Sequence, residues 1–167
     1  MCFLKTFWYS YQIEASEGEN VLNPFYQIVN NDILVAAFLS WFIAQLLKFL
    51  FFVAKYKKID ITRLVGSGGM PSSHSSLMMG LSTSIGLKIG FDSLEFALAL
   101  CMALVVMYDA SGVRRAVGIQ AKILNQMLKD MKEMKHIEKN LKELVGHTPI
   151  EVFVGAFLGI IIANIII

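Results

Sequence analysis

Between Ile33 and Ala54 the chain carries a single charged residue, Lys48. As a helix, the stretch from Asp32 to Ala54 is long enough to cross a hydrocarbon core that takes about 20 apolar residues. Phe25 and Tyr26 precede it and Tyr56 follows it, as an aromatic belt at the two membrane surfaces would. The composition agrees. Of 167 residues, 56% are hydrophobic and 17% charged, with a mean hydropathy of +0.59, values rare in a soluble domain of this size. Lys48 and Gln45 lie one turn apart inside the stretch. A lysine there either snorkels to the surface or faces a polar bundle interior.

Three more spans follow. Ser76 to Gly90 is less apolar, with Gly80 and Ser84, and Gly86 and Gly90, as small residues four apart. A tight turn from Gly90 to Ser93 leads to a third span, Leu94 to Tyr108. The last begins after Gly146 and runs to Ile167, with Gly155, Gly159 and Ala163 forming a small-residue face suited to close helix packing. Between the third and fourth, Ala116 to Val145 reads as one long amphipathic helix. Val117, Leu124, Met127, Met131, Met134 and Leu141 recur near helical spacing, and lysines and glutamates fill the other face. The expected fold is all-α: an integral membrane bundle of about four spans, plus that amphipathic helix. Residues 23–167 form the domain, with the amphipathic insertion at about 116–145. Residues 1–22, aromatic and then polar, are a poor signal peptide and read as an interfacial or loosely ordered extension. A net charge of +2 gives no case for nucleic acid, and Cys2 and Cys101 make no disulfide framework.

The stretch that points to chemistry is Gly66-Ser67-Gly68-Gly69-Met70-Pro71-Ser72-Ser73-His74. Glycines permit tight bends, Pro71 fixes a turn, and Ser72 is a good helix N-cap. A Gly-rich loop running into a helix N-terminus presents N–H groups and a positive dipole end to an anion, most often phosphate. The bland alternative is a linker with an N-cap. Asp109 to Arg115 ends the third span; its acid and two arginines are either an ordinary ion pair or phosphate ligands.

Basic residues set the orientation. Lys55, Lys57, Lys58 and Arg63 follow the first span, and Arg114, Arg115 and several lysines follow the third, while the turn at Gly90 to Ser93 has none. Four spans then put both basic segments on one side, the cytoplasmic side, with both termini on the other. Arg63, the Gly-rich loop, His74, Asp109, Arg114, Arg115, His147 and Glu151 all fall near that face. A bacterial plasma membrane is the expected location.

Three separated motifs, Gly69-Met70-Pro71-Ser72-Ser73-His74, Asp109 to Arg115, and Gly146-His147-Thr148-Pro149-Ile150-Glu151-Val152, resemble those of the divergent type 2 phosphatidic acid phosphatases. These are membrane relatives of acid phosphatases and vanadium haloperoxidases. The resemblance covers roughly Asn23 to the C-terminus. In the wider superfamily's signature blocks, Pro71, Ser72 and His74 match the second, with Ser73 in place of Gly. Lys48 and Arg63 would correspond to the first, at longer spacing and with Leu64 for Pro. The third is split: Ser111 with Arg114 or Arg115, then His147 with Glu151 in place of Asp.

The resemblance implies a metal-independent membrane phosphatase that needs no cofactor and hydrolyses a lipid phosphate or diphosphate. His147 would be the nucleophile that forms a phosphohistidine, Glu151 would hold its ring, and His74 would protonate the leaving oxygen. Arg63, Arg114, Arg115, Lys48, Ser72 and Ser73 would bind phosphate, with Gly69 and Asp109 in support. Two other classes compete: a non-catalytic scaffold or lipid-headgroup binder that keeps the phosphate pocket, and a metal site built on His74, Asp109, His147 and Glu151. The expected partners are the lipid substrate, membrane lipids and a second copy, paired through the amphipathic helix or the Gly155/Gly159 face. Thr148-Pro149-Ile150-Glu151 also reads as a capping box, which would give Glu151 a purely structural task.

Overall fold

A computed structural model describes residues 23–57, 69–130, 141 and 146–167. The expectations for residues 1–22, for Arg63, for the Gly66-Ser67-Gly68 part of the loop and for Met131 and Met134 lie outside the described residues. The described residues form six helices: α1 (Pro24–Val29), α2 (Asp32–Tyr56), α3 (Ser73–Ile89), α4 (Leu94–Ser111), α5 (Val113–Asp130) and α6 (Pro149–Ile166). Among the described residues there is no strand.

The helix ends follow local chemistry. Asn31, Ser72, Ser93 and Thr148 each accept a backbone N–H in the first turn of the helix they precede. Gly90, at φ 121°, closes α3 in a conformation that a side chain would strain. At the site end, α2 stops at Lys57, whose N–H bonds to the Val53 carbonyl at 2.8 Å.

The arrangement of apolar residues is that of a protein dissolved in lipid. Ala36, Ala37, Ala44, Ala99, Ala103, Ala156 and Ala163 are buried, while Phe38, Phe42, Leu98, Met102, Val105, Phe153 and Phe157 point outward. Close helix packing in a bilayer selects small residues inside, and lipid solvates the large ones. Among the described residues, three stretches are long and apolar enough to cross a membrane: α2, the run beginning at Leu94, and α6. The molecule is an integral membrane helical bundle.

Helix α3 is the centre of that bundle. It packs against α2, α4 and α6, and its buried residues are Ser73, Ser75, Ser76, Gly80, Ser82, Thr83, Ser84 and Gly86. With 17 residues and many serines it is shorter and more polar than those three stretches, and because the other helices cover it its surface need not match lipid. Backbones meet directly here. A methyl group on Gly155 would strike the Ser72 backbone, and one on Gly159 the backbones of Ser76 and Gly80. The Ser76 hydroxyl donates to the Ser40 carbonyl of α2 at 2.9 Å. The Gly155/Gly159 face is therefore filled within the chain.

The amphipathic stretch also departs from expectation in extent. Helix α5 covers Val113–Asp130, and Asn125 exchanges two hydrogen bonds with the backbone of Leu141, each 2.9 Å. In one continuous helix those residues would stand about 24 Å apart along the axis. The stretch from Ala116 to Val145 is thus not a single rod. The hydrophobic period is local and carries no trace of that return contact.

Candidate active site

One end of the bundle gathers the polar residues. It is formed by the second half of α2, the starts of α3 and α6, and the junction of α4 with α5. Asp32 and Lys88 pair at 2.5 Å at the far end, where α2 begins and α3 finishes.

His147 precedes α6 and is 3% exposed. Its backbone N–H donates to the Ala110 carbonyl of α4 at 3.0 Å, which ties the chain at His147 to the α4–α5 junction. Its Nδ1 lies 3.3 Å from Oε2 of Glu151. The same oxygen accepts the Thr148 N–H at 2.9 Å, and the Thr148 hydroxyl accepts the Glu151 N–H at 3.4 Å. The capping box and the histidine–carboxylate contact therefore coexist on one oxygen. Burial lowers the pKa of His147. The hydrogen bond and charge of Glu151 and the Gly69 backbone act in the opposite direction, and Lys48 acts with burial.

Gly146 explains how the split third block is rejoined. A methyl group on it would collide with the backbone of Arg114 and Arg115, so the chain leaves the site at Arg115 and returns against the same residue. Arg114 is half-exposed, and its Nε donates to Asp109 Oδ2 at 2.6 Å. Arg115 is exposed beside it. The Ser111 hydroxyl bonds back to the Met107 carbonyl of its own helix at 3.0 Å.

Lys48 does not snorkel. It is 5% exposed, and its Nζ donates to Gln45 Oε1 at 2.8 Å. Its stem passes Gly69: a Cβ added there would lie 3.5 Å from the Lys48 Cγ. At φ 92°, Gly69 adopts a backbone that favours glycine. Lys48 lies within electrostatic reach of Glu151, His147 and His74. Gln45 is the site residue that the motifs do not announce. Its only signal is a position one turn before a lysine inside a span.

Ser72 is fully buried. Its N–H donates to the Glu151 carbonyl at 3.0 Å, and its Oγ accepts from the Ser75 N–H at 3.4 Å and the Ser75 hydroxyl at 2.9 Å. Ser73 is buried next to it. The start of α3 is thus pinned to α6, and the two serine side chains lie beneath the surface. His74 is exposed one residue on, within electrostatic reach of Arg114, His147 and Lys48. The structure therefore brings together Lys48, Gly69, His74, Asp109, Arg114, Arg115, His147 and Glu151. Among the described residues, no three His, Cys, Asp or Glu side chains cluster as ligands for a metal ion.

A family model described as the divergent PAP2 family matches residues 29–162. The chain belongs to the divergent PAP2 family. It is also 35% identical over 152 residues to the uncharacterized membrane protein YuiD of Bacillus subtilis (strain 168), a match that covers 84% of this chain and 96% of that protein. No solved structure matches. The residues brought together at the end of the bundle all fall within the stretch matched by the divergent PAP2 model.

Proposed function

We propose that this divergent PAP2 protein is a phosphatase that hydrolyses a lipid phosphate or diphosphate through a phosphohistidine. The observation that carries the reading is His147: a buried imidazole backed by the Glu151 carboxylate and within electrostatic reach of Lys48 from another helix. With Nδ1 turned to Glu151, Nε2 is the nitrogen left to attack phosphorus. Attack forms the N–P bond and breaks the bond from phosphorus to the lipid oxygen, which takes a proton from His74. Water then attacks the phosphohistidine and gives a proton back to His74; the N–P bond breaks, phosphate leaves, and His147 recovers its neutral form. Lys48, Arg114 and Arg115 neutralise the phosphoryl oxygens, and Glu151 offsets the positive charge that grows on the ring. A bound phosphate would offset the cations around His74 and favour its protonated form.

The basic residues support a site on the cytoplasmic side of a bacterial plasma membrane. Cytoplasmic-leaflet lipids such as phosphatidic acid or phosphatidylglycerophosphate are then the favoured substrates. Binding without turnover is the second reading, favoured by the engagement of Arg114 with Asp109 and of the Ser72 hydroxyl with its own helix.

The test is phosphate release from a panel of lipid phosphates by detergent-purified protein. We expect activity that survives chelator, is inhibited by vanadate, and disappears with phosphohistidine trapping in His147→Ala. Headgroup binding with no release across the panel would replace hydrolysis by the second reading. Activity lost in chelator and restored by one divalent ion would replace it by metal chemistry.

A further inference from the structure

Helix α4 has 18 residues, about 27 Å at 1.5 Å per residue, and so consumes a hydrocarbon core of about 30 Å by itself. Its outward line is Leu94, Leu98, Met102, Val105 and Tyr108, each more than half exposed. Tyr108 marks the end of that line, as an aromatic residue at a bilayer surface does. The chain then breaks. Gly112 has φ −100° and ψ −92°, outside the helical region, and α5 begins at once with Val113. Helix α5 therefore starts at the membrane surface, at the site end of the bundle.

Beyond the break the outward apolar line goes on. Val113, Val117, Leu124 and Met127 share one face of α5 and are 45–59% exposed. Arg115, Lys122 and Lys129 stand seven residues apart on the opposite face, and all three are exposed. Gly118, Ala121 and Asn125 are buried between the two lines, on the side turned to the rest of the chain. A straight continuation of α4 would carry four large apolar side chains into water. A bend at Gly112 returns them to the layer that already solvates Val105 and Tyr108.

We propose that α5 lies in the plane of the membrane surface, with Val113, Val117, Leu124 and Met127 sunk into the headgroup–acyl boundary and Lys122 and Lys129 turned to water. The occupant of the apolar face is lipid: the face continues the lipid-facing line of α4, and opposed apolar and cationic faces are the pattern of interfacial helices. One consequence concerns the site. Arg114 and Arg115 occupy the first turn of α5, so its docking fixes them at headgroup depth, where the phosphate of a lipid sits. The inference does not depend on turnover.

Nitroxide scanning of the full chain tests it. Cys2 and Cys101 are replaced by Ser, and single cysteines are placed at Val117, Leu124, Met127, Lys122 and Lys129, with Val105 as the bilayer reference. The labelled proteins are reconstituted in phosphatidylethanolamine–phosphatidylglycerol vesicles, and retention of far-UV helicity confirms the fold. We expect labels at 117, 124 and 127 to collide with oxygen in preference to a water-soluble nickel chelate, as at 105. Labels at 122 and 129 should show the reverse. Nickel accessibility on both faces would overturn the proposal, because α5 would then stand in water. Spin–spin broadening at 117, 124 and 127 that vanishes on dilution with unlabelled protein would also overturn it, in favour of a second copy.

Discussion

Gly155→Ala should loosen the bundle at the point that joins its core to its site. The added methyl group meets the carbonyl oxygen, carbonyl carbon and nitrogen of Ser72, which are backbone atoms with no rotamer to retreat into. Overpacking costs about 1–3 kcal/mol, and a backbone collision belongs at the upper end. Against this, alanine gains roughly 1 kcal/mol of helix propensity over glycine. The net expectation is a loss of roughly 2 kcal/mol. The same displacement pulls the Ser72 N–H from the Glu151 carbonyl, so the start of α3 and the carboxylate behind His147 move apart. Titration with dodecyl sulfate in maltoside micelles, followed by far-UV circular dichroism, reads the shift in midpoint. Gly80→Ala provides the contrast, because its methyl group first meets a side chain, the Ser40 hydroxyl, at 2.5 Å. Ser40→Ala should recover part of the Gly80→Ala loss. If Gly155→Ala unfolds at the wild-type midpoint or later, the close backbone approach of α3 and α6 is wrong.

Glu151→Gln should leave the cap intact, since an amide oxygen still accepts the Thr148 N–H, but cut lipid phosphate turnover by orders of magnitude with substrate binding less affected; near-normal kcat in folded protein would reduce Glu151 to a cap. Thr148→Ala should cost about 1 kcal/mol in the same unfolding titration. His147 has a lowered pKa, so between the unfolded value of about 6.5 and its folded value the unfolded chain binds the extra proton. Its contribution to stability is present above about pH 6.5 and is lost as pH falls through the folded value. Midpoints should therefore drop on acidification, and less so in His147→Gln; an unchanged slope would refute the assignment. Lys48→Met should fold at least as well, because it removes a buried charge, while vanadate binding weakens by about 1.5–3 kcal/mol, roughly tenfold to a hundredfold. Unchanged vanadate inhibition would place Lys48 outside the anion pocket.

The spans at Asp32 and Leu94 and the last helix were legible because a lipid-facing helix must be apolar along its whole length, and that requirement is written locally. Helix α3 was harder to rank. Its serines make it look like a weak span, yet they are there because three other helices enclose it and small side chains let the backbones meet. The fate of Lys48 had no sequence signature either. Snorkelling and burial place a lysine at the same position near a span's end. What separates them is non-local: Gln45 holding the ammonium and a glycine with no Cβ where the stem passes. The site motifs were readable for a related reason. His74, Asp109 with Arg114, and His147 with Glu151 each lie within one or two turns, so their pairings are nearly local.

What spacing concealed was that the last two groups form one unit. The insertion leaves at Arg115 and comes back at Gly146, and the lack of a side chain at Gly146 lets the two backbones touch. His147 is then fixed to α4 by its own backbone N–H and to α6 by Glu151. An insertion anchored in this way can change length or composition without moving the imidazole. Any bulk at Gly146 must move it. Gly146→Ala should thus disturb the environment of His147, read as a shift in its imidazole resonances, more than any single substitution on the exposed face of α5 does.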